Sequence, residues 1–208
     1  MSSNLHFDEA YYRRFYVDPS TRVYDQKRHA KLITGVIGLA EWFGVQLNDV
    51  LDVGAGLGWW GTWLRTHRKG VNVVSTELEP DICARYGHVQ ADIRTWRLPR
   101  TFDLVICQGV LPYLDDEGAA AAIENLAAMC DGLLYLEAIT KDDMKDAIDP
   151  TRTDLRVNLR PAKWYRARLT KHFREVGAGV YAAHRAELPF FALEAAGEVP
   201  KPSSKKGR

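Results

Sequence analysis

Residues 50–59 read Val50-Leu51-Asp52-Val53-Gly54-Ala55-Gly56-Leu57-Gly58-Trp59, and this stretch decides the fold. An apolar run that ends in alternating glycines and then opens a helical pattern is a buried strand turning into a helix. Glycine in such a turn adopts positive φ and lets a ligand approach without a Cβ in the way. The helix-start amides then face that ligand and favour its negative groups, such as the carboxylate of a bound amino acid. Dinucleotide sites use a similar turn, but two details separate them from this one. The spacing is G-x-G-x-G, and Trp59 stands where GxGxxG requires glycine. Asp52 precedes the first glycine, where a pyrophosphate would repel a carboxylate. A ligand carrying a positive amine and a sulfonium would welcome it.

Outward from this loop, short apolar runs alternate with helical ones, the signature of βαβ units and a parallel sheet. A helix is expected over Tyr24–Phe43, with Leu32, Ile33, Val36, Leu39, Ala40 and Phe43 on one side. Asp49–Val53 is the first strand, Val71–Thr76 the second, Tyr86–Gln90 the third, Phe102–Cys107 the fourth and Gly132–Glu137 the fifth. Pro80 suits the first turn of one helix, and Asp115 or Asp116 caps another that runs to Met129. Lys141–Arg160 reads as an inserted loop or short helices, and Pro161–Phe173 as a helix. Val176–Tyr181 and Leu188–Leu193 are expected to close the domain as a strand pair.

Three divisions follow: an aromatic N-terminal segment 1–23, one α/β domain 24–195, and a basic tail 196–208 whose composition predicts disorder. The chain has 208 residues, enough for one core, with 46% hydrophobic and 26% charged residues and a net charge of +1. That balance gives no general pull towards nucleic acid or an anionic membrane. Cys83, Cys107 and Cys130 are widely spaced and form no CxxC, so neither a disulfide framework nor a metal site is expected, and a cytoplasmic setting is. No signal peptide is expected over Met1–Asp8, and no run is apolar for long enough to span a bilayer.

The other carboxylates fall where strands end. Glu77 closes the second strand beside the glycine loop and can accept hydrogen bonds from both hydroxyls of a ribose. Asp92, with Ile93, follows the third strand; it is placed to accept an adenine amine while Ile93 packs on the ring. A helix-cap role competes for Asp92. Cys107-Gln108-Gly109-Val110-Leu111-Pro112-Tyr113 follows the fourth strand and would form a floor beside the ligand.

These residues resemble the class I S-adenosylmethionine-dependent methyltransferase family. Asp52–Gly58 looks like its first motif, Thr76-Glu77-Leu78 its acidic second motif, Ala91-Asp92-Ile93 its adenine motif, and Phe102–Val105 and Leu133–Glu137 its fourth and fifth strands. The resemblance runs from about Tyr24 to Ala195. It implies a Rossmann-like seven-stranded, mostly parallel sheet of order 3-2-1-4-5-7-6, with the last strand antiparallel and helices on both faces. It further implies S-adenosyl-L-methionine as cofactor, held by Asp52, Gly54, Ala55, Gly56, Gly58, Glu77, Leu78, Asp92, Ile93 and Gln108.

The acceptor side is less determined. Tyr16, Tyr113 and Glu137 are candidate acceptor contacts, and His184 is a candidate general base against the plainer reading of a structural hairpin histidine. Tyr11, Tyr12, Phe15 and Tyr16 are readable as a lid or as helix packing. Cys107 lacks the preceding proline of cytosine C5 methyltransferases and reads as a small core-edge residue. A small-molecule acceptor, methylated on oxygen or nitrogen, is expected. An RNA or protein methyltransferase using the basic stretch 152–174 is the rival enzyme, and a non-catalytic cofactor-binding regulator or scaffold the rival non-enzyme. The oligomeric state is left open.

Overall fold

A computed structural model describes residues 7–145 and 147–196. Apart from Ala196, the tail expected to be disordered lies outside the described residues, as do the first six residues of the N-terminal segment. A short helix α1 (Glu9–Tyr12) continues through a π-helical turn to Val17, and α2 spans Gln26–Trp42. Then come β1 (Asp49–Val53), α3 (Trp59–His67), β2 (Asn72–Glu77), α4 (Pro80–Tyr86), β3 (Val89–Gln90), β4 (Phe102–Gln108), α5 (Asp116–Met129) and β5 (Cys130–Glu137). Helix α6 (Ala162–Leu169) precedes the hairpin β6 (Phe173–Gly177) and β7 (Val180–Ala183).

The seven strands stand in the order β3-β2-β1-β4-β5-β7-β6, as expected. The first five run parallel, and β7 is antiparallel to both β5 and β6. Period-two alternation sends strand side chains to opposite faces. Leu104 and Ile106 meet Ile33, Val36, Ile37 and Ala40 of α2 and Leu64 of α3. Val105 and Cys107 meet Ala122, Ile123 and Leu126 of α5 and Leu169 of α6. The α2 positions fall at i, i+3, i+4 and i+7, one helical stripe, and each large side chain there stabilises the fold by about 1.5–3 kcal/mol. Helices α2, α3, α5 and α6 are thus tied to the sheet, and the carboxyl ends of β1, β2, β4 and β5 are left to build a site.

The C-terminal strands differ from the expectation. Gly177, Ala178 and Gly179 all have positive φ (128°, 50° and 79°) and turn the chain inside the run expected to be one strand. Phe173 therefore opens a strand instead of ending a helix, which stops at Leu169, and Leu188–Leu193 is not a strand.

Candidate active site

The glycine loop has the geometry its sequence requires. Gly54, Gly56 and Gly58 sit at φ 68°, 52° and 68°. A Cβ on Gly54 would stand 2.3 Å from Val110 Cγ2, and one on Gly56 would stand 2.8 Å from the Tyr12 ring. His88 Nε2 donates to the Gly56 carbonyl at 2.9 Å and pins the loop from behind. Asp52, at the end of β1, is almost fully buried. Its Oδ2 has no hydrogen-bond partner among the described residues. Burial first, and the Glu77 charge second, push its pKa up to about 7. A buried carboxylate in this condition is stabilised by any cation that arrives beside it.

Glu77 closes β2 and is also buried. Its Oε1 accepts the Leu78 amide at 2.7 Å, and its Oε2 accepts the Gly56 amide at 2.9 Å and the Tyr12 hydroxyl at 3.2 Å. The side chain is therefore aimed across the loop by backbone donors, and Tyr12 supplies the kind of hydroxyl a sugar would. Asp92 takes Arg94 Nε at 2.9 Å on both oxygens and the Arg94 amide at 3.0 Å on Oδ1. It thus caps its own turn and faces the same cleft, and Arg94 holds its pKa below the usual carboxylate range. Ile93 is buried beneath it, and Leu78 is partly exposed at the cleft wall.

These groups line one cleft, open at its mouth, that spans the carboxyl ends of β1, β2 and β4. Asp52, Glu77 and Asp92 contribute carboxylates to its lining, and no lysine or arginine among the described residues does. The orphaned Asp52 oxygen, the Cβ-free loop and this negative lining all fit an amino-acid-bearing nucleoside with a positive sulfur. A family model described as a methyltransferase domain matches residues 24–189.

The chain belongs to the S-adenosylmethionine-dependent methyltransferase family. No curated protein sequence matches it significantly. Among solved structures, the sugar N-methyltransferase KedS8 from Streptoalloteichus is 18% identical, with TM-score 0.62, covering 90% of this chain and 98% of its own. A protein from Pyrococcus horikoshii is 16% identical, with TM-score 0.62 and coverages of 85% and 97%. The S-adenosylmethionine-bound amino pentose methyltransferase CalS10 from Micromonospora is 20% identical, with TM-score 0.58 and coverages of 88% and 99%. At such identities the likeness is one of fold.

The same cleft of the methyltransferase also gathers rings at Tyr24, His29 and Trp59 that the sequence did not single out. Tyr24 stacks on His29 (centroids 5.4 Å apart, planes at 5°), and Trp59 lies 5.2 Å from His29 and 6.0 Å from Tyr16. Gln108, at the end of β4, ties them together. Its Oε1 takes the Trp60 indole N–H at 2.9 Å and His29 Nε2 at 2.8 Å; its Nε2 donates to Tyr24 Oη at 3.1 Å and Glu137 Oε2 at 3.2 Å. An indole N–H only donates, which fixes which way the amide points and places the His29 proton on Nε2. Burial lowers the His29 pKa, so its ring is neutral. The signal for these residues was the aromatic density of 11–24 and 59–60, with nothing to say which rings would converge.

Of the expected acceptor contacts, Tyr16 and Tyr113 line the cleft, and Glu137 stands directly behind Gln108. Tyr113 donates to Asp154 Oδ2 at 3.3 Å, and its hydroxyl lies 2.7 Å from that of Tyr11. Tyr11 and Tyr12 of α1 also line the cleft, and the helix packs with Phe7, Phe15 and Ile82. His184 does not join them. Because β7 runs antiparallel, Ala182 pairs with Leu133 near the start of β5, roughly 13 Å along the strand from Glu137. His184 follows at that opposite edge, where its Nε2 donates to the Thr170 carbonyl at 3.1 Å. The expectation failed because it took the preceding strand as running towards the glycine loop.

Proposed function

We propose that this methyltransferase transfers the methyl group to an oxygen or nitrogen atom of a small molecule. The observation that carries this reading is the cleft: beside the groups read as holding the cofactor it is lined by Tyr16, Tyr24, His29, Trp59 and Tyr113 and by no lysine or arginine among the described residues. The rival reading needs free arginines at 152–174, and those present are committed. Arg160 is buried, donating to Asp116 at 2.7 Å and to the carbonyls of Leu111 and Asn158 at 3.2 Å. Arg156 pairs with Asp154 and Arg166 with Glu175, both at 2.9 Å, and Arg168 lies over the Trp164 ring at 3.6 Å. KedS8 and CalS10, described as acting on sugars, support a small acceptor.

In this reading the loop of Gly54, Ala55, Gly56 and Gly58, with no Cβ at its glycines, holds the amino-acid part of S-adenosylmethionine. Asp52 faces its positive charge, Glu77 the ribose, and Asp92 with Ile93 and Leu78 the adenine; Gln108 forms the floor. The cofactor supplies, when bound, a methyl group on a positively charged sulfur. The protein's task is then alignment, since a neutral thioether leaves readily, and positioning can supply roughly 7–11 kcal/mol of the barrier. Tyr16, Tyr113 and Glu137 would position the acceptor, with α1 as the lid that excludes water. The buried free thiols of Cys83, Cys107 and Cys130 support a reducing, cytoplasmic setting, and no described helix is long and apolar enough to cross a membrane.

The test is turnover of labelled S-adenosylmethionine against panels of small amines and alcohols, of RNA and of protein. Methylation of a small molecule, insensitive to salt, is expected. Methylation confined to RNA or protein and falling steeply with salt would overturn the reading, and cofactor binding without turnover of any acceptor would favour a scaffold.

A further inference from the structure

Glu137 is a carboxylate that the cofactor reading leaves unused. It ends β5 in register with Gln108 of β4, so it stands at the same sheet edge as the glycine loop, two strands over. Both of the hydrogen bonds to its side chain fall on Oε2, from Gln108 Nε2 and Tyr135 Oη at 3.2 Å each. Oε1 takes none among the described residues, and the residue remains exposed although protein rings it. Gln108 joins it to the corner of the cleft lined by Tyr16, Tyr24, Trp59 and His29, where Tyr16–Tyr24 centroids are 6.1 Å apart and Tyr24–Trp59 centroids 6.2 Å apart. Aromatic faces attract a cation. No lysine or arginine among the described residues lines the cleft to hold an anion, and burial keeps the His29 ring there neutral. Gln108 cannot turn to present its oxygen to Glu137, because Trp60 and His29 already claim it.

We propose that this corner is the acceptor subsite, that it takes a primary or secondary amine, and that Glu137 binds the ammonium form and removes its proton. The proposal rests on the methyltransferase reading above and narrows its acceptor. An ammonium has no lone pair, so a proton must leave before nitrogen can attack. Glu137 carboxylate and R–NH3+ become the carboxylic acid and R–NH2. The nitrogen lone pair forms the bond to the methyl carbon as the carbon–sulfur bond breaks, its electron pair staying on sulfur. The product leaves as R–NH2+–CH3, and Glu137 returns its proton to water. Desolvation by the protein around it raises the Glu137 pKa, which narrows the gap to the amine it must deprotonate.

The test is a binding series that does not depend on turnover. Cyclohexylammonium, cyclohexanol and cyclohexanecarboxylate share one shape and differ in charge. Each is titrated into the protein saturated with S-adenosylhomocysteine, with tryptophan fluorescence as readout. The ammonium is expected to bind about tenfold more tightly than the alcohol, the value of one charge-assisted hydrogen bond, and the carboxylate more weakly than either. Glu137→Gln should erase the ammonium's advantage and leave the alcohol and S-adenosylhomocysteine unchanged. An ammonium bound no better than the alcohol by the wild-type protein overturns the proposal without need of any variant. So does an advantage that survives Glu137→Gln. Failure of S-adenosylhomocysteine itself to bind the wild type would instead bring down the methyltransferase site.

Discussion

Replacing Asp52 by asparagine should make the ligand-free protein more stable at neutral pH while weakening its grip on the cofactor. The side chain is 2% exposed, and its Oδ2 has no partner among the described residues. Its folded pKa of about 7 compares with about 3.9 for a free aspartate. Between those values the folded protein holds a proton that the unfolded chain has released. Stability therefore falls as pH rises from about 4 to about 7 and is level above that. Three pKa units at 1.36 kcal/mol each give a penalty of about 4 kcal/mol at pH 8. Asparagine keeps the shape and carries no charge. Urea unfolding of both proteins from pH 4 to pH 8 should show curves that meet near pH 4 and part by about 2–4 kcal/mol at pH 8, with the variant above. The cost to function should appear in the same samples as weaker binding of S-adenosylhomocysteine, whose ammonium loses its counter-charge. Parallel pH profiles, or a variant less stable than wild type at pH 8, would refute the reasoning.

Three further outcomes follow from the geometry. Gly56→Ala places a methyl against the Tyr12 ring at positive φ; calorimetric titration should show cofactor binding lost, with thermal stability lowered by about 1–2 kcal/mol. Arg160→Ala leaves the Leu114 carbonyl and the Tyr165 hydroxyl without the donor they take from it and should destabilise the fold by about 2–5 kcal/mol in denaturant unfolding. His184→Ala should leave the turnover rate and its pH profile unchanged, because the residue sits at the far edge of the sheet; a large loss of kcat would contradict that placement.

The parts of the fold legible in the sequence were those set by local pattern. Asp49–Val53 is a strand with the expected ends because an apolar run meets obligatory glycines, and Asp115 caps α5 through a side-chain bond to the Gly118 amide at 2.8 Å. The carboxylates at the ends of β1 and β2 were readable for the same reason, since strand order places them. The C-terminal hairpin was not, because Ala178 takes a left-handed turn that its sequence conceals between two glycines. That one shift carried His184 away from the site. The corner of Tyr24, His29, Trp59, Gln108 and Glu137 was equally hidden, since it is made by contacts between residues up to 84 positions apart, such as Tyr24 with Gln108. No periodicity encodes which distant ring meets which amide. The Tyr12 hydroxyl on Glu77 belongs to the same class.

Isothermal titration of S-adenosylhomocysteine into the wild-type protein and into Glu77→Ala, with circular dichroism confirming that both are folded, bears most directly on the account. Saturable uptake by the wild type is predicted, weakened roughly 30- to 150-fold in the variant, the value of about 2–3 kcal/mol from hydrogen bonds to a buried charge. Equal affinity in the two folded proteins, or no uptake by the wild type, would contradict it.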